Sequence, residues 1–526
     1  MLKDIGIALS LANLCFFSVW SELLPGALRH YFMEEPPARE HFPALILNVL
    51  ALATAFWVGR VLQRGRFSSR LSGAARWMFL IAALVALNGV RVQFPQLSLS
   101  KLAPRSAGPV WFILGVLLGL LGVSGLFRWN RRIIRAAVAV VLMLLPFVVL
   151  TFSQALWSGI KYEAAFAEFG VQPLAQLVKP PDMRGPRVLW LLFDELDQRV
   201  TFEARPINVK MPEIERLRKE AVYATDAYPP AGSSMLSIPA LITGRVVLRG
   251  QPERANELLI TFGDTRHPVG WSTQPNIFGE ARAFGMNSAL IGWYHPYCRL
   301  IGSSLTTCSW YSHPVFSSKT DPGGNISRRM LNQVFRLVDR LPLVRRIGLE
   351  KLFGGDREKQ ERELHLTHYL SMLAQAKEAA TDPKLNLIFV HWPIPHLPGI
   401  YNRGIRAFSV DGNVGYLDNL ELVDHTLGEL RRAMEAAGMW EDTTILLTAD
   451  HWWLSSLEFD GKVDHRVPFI LKLRGQNRET VYSEPFNSAL AYELTLDVLR
   501  GNVSSVHSIV TWLDTHRSRR PAEPVL

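Results

Sequence analysis

The sequence has 526 residues, of which 48% are apolar and only 20% charged. This composition excludes a disordered chain, and the length exceeds one small module, so more than one domain is expected. The net charge of +10 lies entirely in residues 1–157, where 15 basic residues accompany five acidic ones. Because the positive charge belongs to the most apolar part of the chain, a nucleic-acid-binding protein is not indicated.

Residues 1–157 contain five apolar runs, each long enough to cross a membrane as a helix, since about 20 residues span about 30 Å of hydrocarbon. The runs are 5–24, 42–62, 74–93, 107–127 and 134–156. A cleaved signal peptide at the first run is disfavoured because no small-residue cleavage site follows it. Arginines are concentrated in the second and fourth connecting loops, which are therefore expected in the cytoplasm. An odd number of spans then places everything after residue 157 on the outer side.

The exported part is expected to consist of a proline-containing linker over 158–186, a domain over 187–515 and a disordered tail over 516–526. Cys15 lies in the first apolar run, whereas Cys298 and Cys308 both lie in the exported domain. We expect a disulfide between these two, since an oxidising compartment permits it. Two unpaired thiols are the alternative.

The exported domain alternates apolar strand-like runs with helix-like segments. This pattern predicts an α/β domain whose mainly parallel sheet is covered by helices on both faces. The runs begin at Val188, Ser288, Leu385, Thr444 and Pro468. Sheets of this kind bind ligands at the carboxyl ends of their strands. The residues that directly follow the runs are therefore the candidates for a functional site.

Acidic and imidazole side chains follow three of the runs. They are Asp194 with Glu195, His391 with His396, and Asp450 with His451. Carboxylate and imidazole groups together indicate a site for a divalent cation. Two further Asp-His pairs begin at Asp424 and Asp464 but do not directly end a strand, and Asp424 is interpreted as a surface or helix-stabilising residue.

The segment PPAGSSMLSIPALITGR offers Ser233, Ser234 and Ser237 as nucleophiles. A serine hydroxyl loses its proton far more easily beside a divalent cation. Serines at a helix start are more often caps. From the residues alone, the choice between cap and nucleophile stays open.

Together these segments resemble the alkaline phosphatase and sulfatase superfamily, and especially its membrane-anchored bacterial branch of lipid A phosphoethanolamine transferases and lipoteichoic acid synthases. ALITGR aligns with the end of the sulfatase pattern C-x-P-S-R-x-x-L-x-T-G-R, which puts Ser234 at the modified cysteine. Counting back from Pro239 puts Ser234 at the transferases' threonine nucleophile. LTADHWW is similar to the family's T-S-D-H-G, and HWPIPHLP to the transferases' H-x-x-x-x-H-G-P. HRVPFIL resembles their later H-x-P segment, and LIGWYHPY the sulfatase I-G-K-W-H.

The resemblance implies a metal-dependent enzyme with one or two divalent cations, zinc or manganese first and magnesium or calcium as alternatives. The implied metal ligands are Asp194, Glu195, Ser234, Asp450 and His451. Ser234 is the implied nucleophile, and the implied proton-transfer residues are His391, His396 and His465. The implied substrate-binding residues are His295, Trp293 and Arg245.

The sequence also departs from the family's patterns. Serine at 234 is not the cysteine that most aerobic sulfatases modify, Ile238 replaces an arginine, and Trp293 replaces a lysine. The loss of these two positively charged side chains favours a phosphodiester substrate over a sulfatase substrate, because a phosphodiester relies more on the metal. Trp452 replaces the usual glycine after Asp-His.

The favoured function is transfer of a phospholipid-derived headgroup to an envelope glycan or lipid acceptor through a covalent Ser234 adduct. Hydrolysis of phosphate or sulfate esters and a non-catalytic envelope scaffold are the alternatives. The expected location is the bacterial inner membrane, multi-pass, with the catalytic domain on the periplasmic side. Within 318–364, an amphipathic segment is expected to rest on the anionic membrane surface or, alternatively, to pack on the sheet as a surface helix.

Overall fold

The structure is a computed structural model that describes residues 1–64, 69–92, 122, 135–136, 138–178, 185–265, 267–316, 324–339 and 357–526. The chain forms two compact units. The first unit consists of Met1–Ala27, Pro37–Ala167 and Asp321–Asp356, and the second of Leu28–Pro36, Glu168–Thr320 and Arg357–Leu526. Residues 28–36 therefore belong to the second unit, although the segments on either side of them belong to the first.

The first unit is helical in its described residues. Its helices are Leu2–Cys15, Phe17–Leu23, His41–Arg64, Ser69–Val92, Leu145–Ile160, Tyr162–Ala165 and Ile326–Asp339. Within the described part of the chain, His41–Leu62 is long and apolar enough to cross a membrane, and Leu2–Cys15 with Phe17–Leu23 adds a second candidate if this pair, bent by 60°, is one span.

These helices confirm only part of the predicted five-span domain. The runs 42–62 and 5–24 correspond to the one or two candidate spans. The runs 74–93 and 134–156 coincide with helices whose apolar parts, Ile81–Arg91 and Leu145–Ile160, are shorter than a span. Apart from Gly122, the run 107–127 lies outside the described residues. Five spans are therefore not confirmed.

The amphipathic segment forms the helix Ile326–Asp339, which packs on the other helices of the first unit. Asn48 Nδ2 donates to Met330 O and to Gln333 Oε1, both at 2.9 Å. Arg336 pairs with Glu22 at 3.2 Å. Residues 326–339 therefore pack on helices of the first unit, and residues 340–356 lie outside the described part.

The second unit is built on a sheet that has eight strands among the described residues. In chain order, the strands of the unit are β1 Val188–Asp194, β2 Val222–Ala224, β3 Ala227–Tyr228, β4 Val247–Arg254, β5 Glu257–Phe262, β6 Val269–Gly270, β7 Ser288–Trp293, β8 Thr307–Tyr311, β9 Leu387–Pro395, β10 Tyr401–Asn402, β11 Ala407–Phe408, β12 Thr444–Ala449, β13 Phe469–Lys472, β14 Thr480–Tyr482 and β15 Phe486–Asn487. The large sheet has the order β14-β2-β13-β12-β1-β9-β7-β8. Strands β12, β1, β9, β7 and β8 run parallel, and only β13 is antiparallel to its neighbours β12 and β2. The predicted mainly parallel sheet is confirmed.

Helices cover both faces of this sheet, which explains why its central strands read as continuous apolar runs. All residues of β1 and β12 are buried. One face is packed by Pro212–Lys219, Arg357–Thr381 and Tyr416–Ala436, and the other by Ser234–Thr243, Ile277–Ala283, Ala491–Leu499 and Val506–His516. The shorter helices Tyr297–Leu300 and Ser456–Asp460 follow β7 and β12.

Both ends of the second unit are ordered against its body. In the predicted linker, Gln172 N donates to Cys298 O at 3.1 Å, and Ala175 N donates to Leu305 O at 2.8 Å. At the other end, Val525 N donates to Pro230 O at 3.0 Å and Val525 O accepts from Gly232 N at 2.9 Å. The prediction of a disordered tail over 516–526 is therefore wrong, because its backbone pairs with the loop that precedes Ser234.

Candidate active site

Two carboxylates and an imidazole meet where β1 and β12 end. The register pairs Phe193 with Ala449, so the next residues, Asp194 and Asp450, leave two adjacent parallel strands side by side. Asp194, Asp450 and His451 are buried, with their ligand atoms within 4.8 Å of one another. His451 Nε2 lies 3.5 Å from Asp194 Oδ1 and 3.5 Å from Asp450 Oδ2. We call these three residues the cation group.

His451 follows β12, whereas His391, predicted to follow its strand, lies within β9; both turn Nε2 toward the carboxylates. The Nδ1 atoms of His451 and His391 each lie 2.9 Å from a backbone carbonyl, of Trp452 and Trp293 respectively. A carbonyl can only accept, so each Nδ1 carries the proton and each Nε2 is free to bind a cation. His391 Nε2 is 3.8 Å from Asp450 Oδ2.

The buried polar atoms of the site fit a divalent cation. Asp194 Oδ1, Asp450 Oδ2 and His391 Nε2 have no hydrogen-bond partner among the described residues. Buried groups of this kind are costly unless they are paired or coordinate a metal. A cation bound by Asp194, Asp450 and His451 would satisfy both carboxylate oxygens. His391, predicted for proton transfer, lies outside the cation group, but its Nε2 is 3.8 Å from Asp450 Oδ2, so it is a further candidate ligand.

The protonation of the site agrees with this interpretation. Burial and the neighbouring Asp450 raise the pKa of Asp194 well above its usual range. Burial alone would lower the pKa of His451, but Asp450 and Asp194 raise it overall. Burial lowers the pKa of His391 to about 4, so its ring is neutral near pH 7. A bound cation would oppose both shifts, because carboxylates and imidazoles bind metal ions in their deprotonated forms.

Glu195 borders the cation group through its backbone. Its N–H donates to Asp450 Oδ1 at 3.2 Å, and its carbonyl accepts from Tyr416 Oη at 2.7 Å. Its φ of 65° lies in the left-handed region, which a non-glycine residue keeps only when its surroundings hold it there. Its carboxylate is not among the ligand atoms of the cation group, so the structure does not bring together all the predicted ligands.

Ser234 is the candidate serine that contacts the cation group. It is the first residue of the helix Ser234–Thr243, and its Oγ lies 3.4 Å from His451 Nε2. Ser233 is the N-cap but makes no capping hydrogen bond through its side chain. Ser237 Oγ instead donates to Ala231 O at 2.7 Å and accepts from Ala231 N at 3.0 Å. The helix N-terminus around Ser234 favours an anion there.

Trp452, which replaces the family's glycine, is accommodated by a glycine on the facing loop. A Cβ added to Gly232 would lie 2.7 Å from Trp452, so a side chain at 232 would displace the indole. Trp452 also contacts His465, at 4.2 Å between ring centroids. The structure therefore places His465 against Trp452 and outside the cation group.

Two of the three predicted substrate-binding residues have their polar atoms engaged inside the protein. Trp293 Nε1 donates to Asp194 Oδ2 at 3.2 Å. His295 Nε2 lies 3.0 Å from Ser234 O, and its Nδ1 lies 2.7 Å from Tyr31 Oη. Arg245 pairs with Asp264 at 2.6 Å, beside the hairpin of β4 and β5. The polar atoms of Trp293 and His295 therefore contact the Asp194 carboxylate and the backbone of Ser234.

Sequence reasoning missed three histidines around Trp293, of which His365 and His368 are buried and His313 is half-buried. The rings of His313, His365 and His368 lie 5.6, 5.1 and 6.1 Å from the Trp293 ring. Burial lowers the pKa of His313 to about 3 and that of His365 well below its usual range. The available signal was the spacing of His365 and His368, three residues apart on one helix. His396 borders this cluster, with its ring 5.3 Å from that of His313.

The predicted disulfide is present beside the site. Cys298 and Cys308 are bonded, with Cα atoms 5.7 Å apart. The bond joins the short helix Tyr297–Leu300 to β8. Tyr297 Oη lies 2.9 Å from His391 Nδ1, so the disulfide fixes an element that contacts a candidate ligand.

The fold and the site define a class of enzyme that acts on phosphoric or sulfuric esters with divalent cations. The sulfatase family model matches residues 186–514, and the chain belongs to that family, within the alkaline phosphatase and sulfatase superfamily. No curated protein matches the sequence.

Three solved structures illustrate the structural similarity. The PsFucS1 sulfatase from Pseudoalteromonas sp. is 16% identical over 60% of this chain and 68% of its own, with a TM-score of 0.41. The phosphonate monoester hydrolase SpPMH from Silicibacter pomeroyi is 15% identical over 62% and 77%, with a TM-score of 0.39. Murine ectonucleotide pyrophosphatase/phosphodiesterase 5 is 13% identical over 62% and 99%, with a TM-score of 0.36.

Proposed function

We propose that this protein is a membrane-anchored, metal-dependent transferase that moves a phospholipid-derived phospho-headgroup to an envelope glycan or lipid through a covalent adduct on Ser234. The main support is the position of Ser234 Oγ, 3.4 Å from His451 Nε2 of the cation group and at the start of a ten-residue helix. A nucleophile, its cation ligands and a helix N-terminus then converge on one point.

Asp194, Asp450 and His451 would hold the cation, with His391 and the Ser234 oxygen as further ligands. A mixed set of oxygen and nitrogen donors suits zinc or manganese. When bound, the cation supplies a Lewis acid that favours the ionised serine and offsets charge on the phosphoryl oxygens.

The protein's own residues account for both halves of the reaction. Ser234 Oγ attacks phosphorus, the bond from phosphorus to the diacylglycerol oxygen breaks, and that oxygen takes up a proton. The acceptor hydroxyl then loses a proton and attacks the same phosphorus, and Ser234 leaves as the free hydroxyl. His396 and His465 are the candidates for these proton transfers, because the low pKa of His391 and its bond to Trp293 O disfavour it as an acid.

A phosphodiester suits the charges of the site. Among the described residues, neither Asp194 nor Asp450 pairs with a lysine or arginine; their ionic partners are histidines. Trp293 stands at the position of the sulfatase lysine and donates to Asp194. A singly charged diester requires fewer protein cations than a doubly charged phosphate monoester. A lipid donor also remains beside a membrane-anchored enzyme, which raises its effective concentration.

Hydrolysis of a phosphate or sulfate ester through the same Ser234 adduct is the second candidate. The match to the sulfatase family favours it. In this case water replaces the acceptor in the second half of the reaction, and the same residues act.

The test compares the full-length wild type with Ser234→Ala and Ser233→Ala in membranes supplied with a phospholipid that carries a labelled headgroup. Wild type should first carry the label on Ser234 and then pass it to a glycan or lipid. Ser234→Ala should lose labelling and turnover by about 10³-fold or more. Ser233→Ala should resemble wild type, because that side chain makes no capping bond.

The products distinguish the two candidates. Label that leaves Ser234 only as a water-soluble ester would establish hydrolysis, and removal of the cation with a chelator should stop either reaction. Wild-type turnover by Ser234→Ala would show that the nucleophile is assigned wrongly.

A further inference from the structure

A short segment from the N-terminal part of the chain is built into the catalytic unit. Residues 28–36, which we call the strap, lie in sequence between the first two apolar runs, yet they belong to the second unit. The strap contains the short helix Leu28–Phe32, and Tyr31 in it is fully buried. None of the motifs that define the family includes these residues.

Tyr31 completes a chain of hydrogen bonds that ends on the nucleophile. His295 Nε2 lies 3.0 Å from the Ser234 carbonyl, which can only accept, so Nε2 carries the proton. Its Nδ1 is then an acceptor, and the Tyr31 hydroxyl, 2.7 Å away, donates to it.

The strap is held in place by buried polar contacts on its other side. Arg299, only 2% exposed, donates to Met33 O at 2.7 Å and to Glu34 O at 2.5 Å. Glu34 Oε1 accepts from Ser312 N at 2.9 Å and lies 3.2 Å from His368 Nε2. Arg299 adjoins Cys298, so the disulfide fixes the residue that binds the strap.

We propose that the strap is part of the active site and that Tyr31 is a positioning residue that acts on Ser234 through His295. The inference rests on the proposed function in that Ser234 is taken as the nucleophile. His295 is the side chain that fixes the backbone oxygen of Ser234. Without the Tyr31 hydroxyl, a buried ring nitrogen loses its donor, and the ring is no longer held in one orientation.

The first test compares Tyr31→Phe with Tyr369→Phe in the full-length protein. Phenylalanine fills the same space at both positions. Tyr369 is a matched control, because it is also fully buried and its hydroxyl makes one hydrogen bond, 2.8 Å to Thr426 Oγ1. Tyr31→Phe should lower kcat about 10- to 100-fold, since a small misplacement of a reacting group has effects of this size, while KM and cation content stay within about twofold. Tyr369→Phe should change none of these.

A double-mutant cycle shows whether Tyr31 acts through His295. If it does, adding Tyr31→Phe to a His295→Ala variant should lower kcat by less than about twofold further. Full additivity of the two substitutions would overturn the proposed route, as would a wild-type kcat for Tyr31→Phe alone.

A readout without catalysis separates this inference from the proposed function. Hydrogen exchange of the peptide that contains residues 234–243 should become faster in Tyr31→Phe and stay unchanged in Tyr369→Phe. If wild type neither turns over esters nor becomes labelled on Ser234, the proposed function fails, and the exchange measurement still tests the strap. Unchanged exchange in Tyr31→Phe would overturn the positioning role.

Discussion

At the scale of single residues, the hydrogen bonds of His391 decide its role. Its predicted position after a strand made it a candidate for the cation site, and the family resemblance implied a role in proton transfer. The structure engages its Nδ1 with Trp293 O and Tyr297 Oη and turns its Nε2 toward Asp450. Metal-binding histidines usually have the ring nitrogen that does not bind the metal hydrogen-bonded to a protein group, which orients the ring, and Nδ1 of His391 is held in this way. His391 therefore has the geometry of a ligand and not of an acid.

His391→Ala should weaken cation binding about 10- to 100-fold, because it removes a ligand from a buried site. His396→Ala is the control and should slow turnover without this loss, since its ring packs on His313. Titration of metal-stripped protein at pH 7 measures both affinities. With a pKa of about 4, protonation of His391 should compete with the cation only below about pH 5. Unchanged affinity in His391→Ala would exclude it as a ligand.

The residues of the site that the sequence predicted share one property: they directly follow an apolar strand. Asp194, Asp450 and His451 were found in this way. Glu195 follows a strand too, but its backbone, with a positive φ, accepts a hydrogen bond from Tyr416 and donates one to Asp450, and both partners come from distant parts of the sequence. Tyr31 lies outside any strand-end pattern, so only the folded chain brings it to the site.

At the scale of elements, apolar runs predicted the longer buried strands and missed the exposed strands and the very short ones, such as the buried β2. The runs at Val188, Ser288, Leu385, Thr444 and Pro468 correspond to β1, β7, β9, β12 and β13. Strand β4 escaped because most of its residues are at least partly exposed and several are charged. Strand β8 is exposed or half-buried at each position and has no apolar run. A strand was therefore predictable when it was both buried on its two faces and long enough to form an apolar run.

Asp424 links two helices of the catalytic unit. It lies in Tyr416–Ala436, is 5% exposed, and accepts from Ile214 N at 2.8 Å in the first turn of Pro212–Lys219. The helix-stabilising interpretation is confirmed, but the helix it caps is a neighbour and the side chain is buried. Burial raises its pKa to about 7, despite the bond from Ile214.

Asp424→Asn should remove part of the pH dependence of stability. The pKa of this carboxyl is near 4 in an unfolded chain and about 7 in the folded protein. The folded protein therefore binds the proton more tightly than the unfolded chain does. As the pH rises from about 4 to about 7, the folded protein loses the stability that this proton provides. Asparagine keeps an acceptor for Ile214 N without the charge. The variant should melt at a higher temperature than wild type at pH 8 and at a similar one near pH 4.5. Asp411 is exposed, so Asp411→Asn is the control and should keep the wild-type dependence of melting temperature on pH. If the melting temperatures of Asp424→Asn and wild type changed in parallel with pH, the raised pKa of Asp424 would be contradicted.

At the scale of the whole molecule, the surplus positive charge and the candidate active site lie in different parts of the chain. Its surplus of ten positive charges lies within residues 1–157, and the cation group lies in the electrically balanced remainder. The helix His41–Leu62 supports membrane anchoring. The disulfide between Cys298 and Cys308 suits an oxidising compartment. Five spans and a periplasmic catalytic unit together stay a prediction, because they depend on how arginines distribute between loops.

Cysteine labelling in spheroplasts tests this topology. Ile207 is 91% exposed in the catalytic unit, and Ser68 lies in the second loop, which the arginines place in the cytoplasm. Ile207→Cys should react with a membrane-impermeant maleimide in intact spheroplasts, whereas Ser68→Cys should react only after permeabilisation. The native cysteines should stay silent, because Cys15 is buried and the other two are bonded. Labelling of Ser68→Cys from outside would reverse the orientation and separate the site from an outer-leaflet donor.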